Sequence, residues 1–129
     1  MRTVLLGLVG AAVVGAGLSA HHSFSAYYHE QQSMTIQGEV VEFDYRAPHA
    51  WLHVNAPDSS GRMHTYAAEW ANPSRLNRDN ISKDTLKPGD VVIVTGSPGR
   101  EEAEHKLHLK AIERPKDGWS WRQRPRGGR

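Results

Sequence analysis

The chain has 129 residues, a net charge of +2 and no cysteine. That length suits one core and argues against a second, and the missing cysteine excludes both disulfides and a lipidated N-terminal Cys. The charge is uneven: residues 21–113 carry 9 Lys/Arg against 13 Asp/Glu, while residues 114–129 carry 6 against 1. An acidic domain disfavours nucleic acid as a partner, because phosphate recognition needs a basic groove.

Residues 1–20 start with Arg2, continue through an apolar run from Val4 to Gly17 and close on Ser19 and Ala20. This is the architecture of a cleavable signal peptide cut after Ala20, and it predicts a periplasmic or secreted protein. The competing reading is an uncleaved anchor, but the run is shorter than the roughly 20 residues a spanning helix needs and contains four glycines. Cleavage leaves about 109 residues with no transmembrane span: an N-terminal arm over 21–32, a domain over 33–113 and a tail over 114–129.

Within the domain, Met34 to Tyr45 alternates with a change of phase, so a bulge or bend is expected near Gly38–Val41. Ala50 to Ala56 alternates cleanly, with Leu52, Val54 and Ala56 on one side. Turn chemistry at Asp58-Ser59-Ser60-Gly61 leads to a second extended run, Met63 to Trp70, and a hairpin is the natural pairing. Asn72-Pro73 supplies an N-cap and a first-turn proline for a short helix to about Arg78, with Leu76 facing the core. Asn80 to Lys87 reads as loop. Pro88-Gly89 is a type II turn signature launching Val91–Val94, an apolar run expected to be buried on both faces. A polar connection over Gly96–Glu104 precedes a last strand, His105 to Glu113, with Leu107, Leu109 and Ala111 inward and Lys106, His108 and Lys110 outward. Three strands, a short helix and two strands, with a bent first strand, predict an all-β fold with one short helix: the five-stranded Greek-key barrel of the OB type.

Residues 114–129 mix Pro115, Pro125, Gly127 and Gly128 with arginines, Trp119 and Trp121. The composition predicts a basic, largely disordered tail. Such a tail either binds anionic lipid headgroups or nucleic acid by charge plus stacking or solubilises the protein while its tryptophans fold back onto the barrel.

The pieces His21-His22-Ser23-Phe24, Pro48-His49-Ala50-Trp51, Glu69-Trp70-Ala71-Asn72-Pro73 and Leu86-Lys87-Pro88-Gly89-Asp90 resemble, in that order, a family of small exported bacterial proteins, domain of unknown function family 6152. The resemblance covers nearly the whole mature chain. It implies export and the barrel, and brings no catalytic or binding residues with it.

Eight histidines, all beyond residue 20, are the distinctive chemical resource, since imidazole is a good ligand for copper, zinc and nickel. Cleavage after Ala20 makes His21 the first residue, where its α-amine and imidazole chelate one Cu(II) and a third nitrogen completes a planar set. Cleavage after Ser19 exposes Ala20-His21-His22, whose amine, two amide nitrogens and His22 imidazole form a square-planar site. The bland alternative is a mobile terminus. His49, beside Pro48, is the candidate third ligand if residues 21–30 lie across the barrel; otherwise it binds a loop carbonyl. It cannot share a mononuclear site with His53, because four residues of straight strand separate them by roughly 13 Å. His105 and His108 fall on opposite strand faces and are expected to be exposed polar residues.

Trp51, Tyr66 and Trp70 form a candidate aromatic ligand-binding face, against core or edge packing as the ordinary role. Glu69, beside Trp70, joins that ligand-binding set and is the candidate acid or base with His49, but no carboxylate partner stands at a useful spacing. No Gly-rich phosphate loop, nucleophile elbow or paired-Cys motif is present. The leading expectation is therefore a non-enzymatic, periplasmic OB-fold binding protein that takes Cu(II) or a similar ion at His21, His22 and His49. The competing expectation is an interaction module of the cell envelope that holds a protein, glycan or other ligand by its aromatic face or basic tail.

Overall fold

The computed structural model describes residues 21–125, with side chains from Phe24 onward. The expected signal peptide lies outside the described residues. Helix α1 (His21–Tyr27) precedes strands β1 (Met34–Asp44), β2 (Trp51–Pro57) and β3 (Met63–Glu69); helix α2 (Pro73–Arg78) follows, then β4 (Val91–Pro98), β5 (Lys106–Arg114) and β6 (Trp119–Arg122). No helix among the described residues is long and apolar enough to cross a membrane.

Strand β1 organises the barrel by serving two partners. Its first half, Met34–Glu39, pairs with β4, and its second half, Glu39–Asp44, pairs with β2. The register shifts between Val40 and Glu42, so the phase change in the sequence is a β-bulge that turns the strand from one sheet neighbour to the other. The crossing is tight at Gly38, where a Cβ would stand 1.9 Å from the Asn55 carbonyl oxygen. Only glycine lets the two backbones approach this closely.

Hairpin β2–β3 turns through Asp58–Gly61, with Gly61 at φ +85. The Asp58 carboxylate accepts hydrogen bonds from Ser60 and from the Arg62 backbone N–H. Asn72 caps α2 by accepting from the Arg75 backbone N–H at 2.8 Å, and Leu76 on that helix is fully buried. Strands β4 and β5 pair antiparallel, and Ala67–Glu69 of β3 pairs in parallel with Lys106–His108 of β5. That last pairing closes a five-stranded barrel, the OB architecture. Its interior is filled by the inward alternates, among them Val40, Leu52, Val54, Val92, Val94, Leu107 and Leu109.

Three expectations need correction. Val91–Val94 is buried on one face only: Val92 and Val94 are buried, whereas Val91 is 52% exposed and Ile93 half-buried, because none of the described residues covers the outside of β4 at Val91. Nor does β4 end near Gly96; it runs to Pro98. The segment from Arg114, expected to be disordered, forms β6 as far as Arg122, and Ala111–Arg114 of β5 pairs with Trp119–Arg122. Its indoles supply the apolar burial that a basic composition conceals. Trp121 lies edge-on to Trp70, centroids 5.2 Å apart, with its N–H on Asp79, and the Arg114 guanidinium stands over the Trp119 ring. Residues 126–129 lie outside the described residues.

Candidate functional site

The site is built on the outer face of β5. Alternation along that strand sends Leu107 and Leu109 into the barrel and His108 and Lys110 outward, and the arm after α1 lies across this outward face. Tyr28 fixes the arm through a backbone bridge to Gly99 and is 2% exposed. Two residues later, Glu30 meets both outward side chains: His108 Nδ1 lies 2.7 Å from one oxygen, and Lys110 Nζ donates to the other at 2.5 Å. His108, expected to be exposed, is only 7% exposed. The alternation is as expected, but the arm covers the face to which it points. His105 lies just before β5, in the left-handed region at φ 49, stacked on His64 with centroids 3.9 Å apart.

A second pair stands beside the first. His49 follows a cis Ala47–Pro48 bond at the entrance of β2, and its Nδ1 lies 2.8 Å from Glu69 Oε1. Tyr28 Oη donates to Glu69 Oε2 at 2.5 Å. The Phe24 ring joins the two pairs, stacking on His108 with centroids 3.8 Å apart and planes 2° from parallel, and lying 5.3 Å from the His49 ring. Both imidazoles line one cleft of about 420 Å³, together with Phe24, Glu30, Trp70 and Trp121.

An ionised carboxylate can only accept, which places the proton on the Nδ1 facing it, and a neutral imidazole so oriented keeps its lone pair on Nε2. Burial pushes the His108 imidazole below its ordinary value of 6.5, outweighing the opposing effect of Glu30. Burial raises Glu30, but the hydrogen bonds from Lys110 and His108 together hold it below its ordinary 4.5. Burial and the hydrogen bond to Glu69 push the Tyr28 phenol up, which keeps it a donor. The resulting arrangement is a neutral, oriented His108 beside an ionised, doubly satisfied Glu30.

The residues expected from the sequence are divided by this geometry. His49 and Glu69 are bonded to each other. His21 begins α1, one turn ahead of Phe24, while the side chains of His21 and His22 lie outside the described residues. Among the described residues, no group of three or more His, Cys, Asp or Glu is placed to hold a metal ion. Trp51, Tyr66 and Trp70 do not share one face, because the register separates them. Trp51 is paired with Glu69 on the outer side, Tyr66 with Val54 on the inner side, and Trp70 is buried against Phe43 and Trp121. Sequence reasoning passes over Phe24, Tyr28, Glu30 and Lys110. The one local signal was that His108 and Lys110 share a strand face.

Residues 9–108 match the model of a family of unknown function, DUF6152. The chain belongs to this family. The span matched by DUF6152 contains Phe24, Tyr28, Glu30, His49 and Glu69 and ends at His108, before Lys110 and β6. No curated protein matches the chain. Among solved structures, a mitochondrial single-stranded DNA binding protein from S. cerevisiae is similar at 15% identity, over 64% of this chain and 92% of that one, with a TM-score of 0.47. The barrel assignment rests on the strand pairings themselves.

Proposed function

We propose that this protein is an exported metal-binding protein of the cell envelope. In this reading the barrel offers His49 and His108 to a Cu(II)-type ion, and the mature N-terminus at His21 and His22 completes the site. The observation that carries the reading is the pair of imidazoles lining one cleft, each tied at Nδ1 to a carboxylate. Metal-bound histidines are commonly oriented in this way, with the carboxylate fixing the tautomer and raising the basicity of the coordinating nitrogen. The first turn of α1 supports the same reading, since His21 precedes by one turn the phenylalanine that touches both rings. A terminal amine titrates near about 7.7–8.0, so affinity rises with pH through that range and acid releases the metal.

The test is Cu(II) titration of the mature protein beginning at His21, read by calorimetry and by electron paramagnetic resonance. The expected result is one equivalent bound through nitrogen donors, with affinity at least about 10-fold weaker in His49→Gln and in a variant with His21 and His22 changed to Ala. Equal copper affinity in all three proteins removes the reading.

A further inference from the structure

A metal ion occupies little of the cleft. At about 420 Å³ the space lies within the roughly 300–1,000 Å³ range of small-molecule sites. Its lining takes in α2 and the residues after β6 as well as the arm, and its charge is opposite to that of the domain. Arg75, Lys110 and Arg124 line the cleft with one carboxylate, Glu30, although acids outnumber bases 13 to 9 across residues 21–113.

The partners of these cations differ. Lys110 is held by Glu30 and Arg124 by Asp79, whereas the Arg75 guanidinium has no ion pair among the described residues. Arg75 is exposed on α2, and only its backbone N–H serves the cap. Trp70, also in the lining, has a buried indole N–H without a hydrogen-bond partner among the described residues. A buried donor of this kind normally has one. Gln123 adds an amide beside Arg124.

We infer that Arg75, with Gln123 and Arg124, makes this cleft a subsite for a small oligocarboxylate anion, Arg75 being its main anchor. A guanidinium presents a planar fork that matches a carboxylate bidentately. Three lining cations and the Gln123 amide favour an anion with more than one carboxylate over a compact one such as phosphate. The subsite does not depend on the metal reading, because none of Arg75, Arg124, Gln123 and Trp70 is a ligand there.

The experiment titrates metal-free full-length mature protein with citrate, followed by calorimetry and by tryptophan fluorescence, since Trp70 and Trp121 line the cleft. Saturable one-to-one binding is expected, at least about 10-fold weaker in Arg75→Gln with an unchanged circular dichroism spectrum. Absence of citrate binding, or equal affinity in Arg75→Gln, overturns the inference. Inorganic phosphate binding as tightly as citrate overturns the oligocarboxylate assignment. Copper titrated without citrate reads the histidine pair separately, so failure of the metal reading leaves this outcome distinct.

Discussion

Two corners of the barrel use the same parts to join different things. At the cleft, His108 sits on Glu30 at 2.7 Å with Phe24 stacked on its ring; at the β2–β3 hairpin, His64 sits on Asp58 at 2.7 Å with His105 stacked on its ring. Glu30 and His108 are 78 residues apart, and Tyr28 reaches Glu69 across 41, whereas Asp58 and His64 are separated by only 6. The cleft pairs fasten an arm to the barrel. The hairpin pair closes a turn that Gly61 and the β2–β3 ladder already impose. The same hydrogen bond therefore has different consequences according to how much chain its loss releases.

The largest expected effect tests whether the arm belongs to the cooperative unit. Tyr28→Ala leaves a cavity where a 2% exposed ring stood and removes a donor from Glu69. Truncating a buried aromatic costs about 3–5 kcal/mol, so urea unfolding should show a loss of about 4 kcal/mol; a loss under about 1 kcal/mol would mean the arm unfolds independently. Next comes a matched pair of truncations. Glu30→Ala deprives His108 and Lys110 of their acceptor, and a loss of about 2 kcal/mol is expected, as for other hydrogen bonds to charged groups. Asp58→Ala should shift the urea midpoint by clearly less. Equal shifts in the two variants would erase the contrast between the corners.

The contrast also explains what was legible in the sequence. Hairpin β2–β3, the Asn72 cap and the bulge in β1 follow from alternation and turn residues within a few positions of each other, and they stand where the pattern put them. Along the barrel, His49 and Glu69 were visible as chemistry, although nothing local joined them. Glu30 and Tyr28 were not, since a partner 78 or 41 residues away leaves no periodic trace. For His108, alternation gives the face a side chain takes but not whether another segment covers it. Strand β6 was hidden for a similar reason. Arginine and proline mark a tail as disordered by composition, whereas Trp121 is held by Trp70 and Asp79, contacts that only the fold creates.

The smallest expected effect separates the corners by pH. Burial lowers the His108 pKa from its ordinary 6.5. As pH falls through that value, the unfolded chain takes up a proton that the folded chain still refuses. The unfolded state then binds more protons, so stability falls with falling pH. Glu30, also lowered, adds the same sign further down: its contribution is present above 4.5 and lost as pH drops through its folded value. Asp58, held low by hydrogen bonds from Ser60 and His64, loses its contribution only below its ordinary 3.8. The cleft corner therefore begins to loosen at milder acidity than the hairpin. Between about pH 7.5 and about pH 5 the urea midpoint of the wild type should decline, and His108→Asn should flatten that decline while Asp58→Ala leaves it unchanged. If His108→Asn kept the full decline, the acid response would belong to other groups, and the buried imidazole would not be what ties the arm to neutral pH.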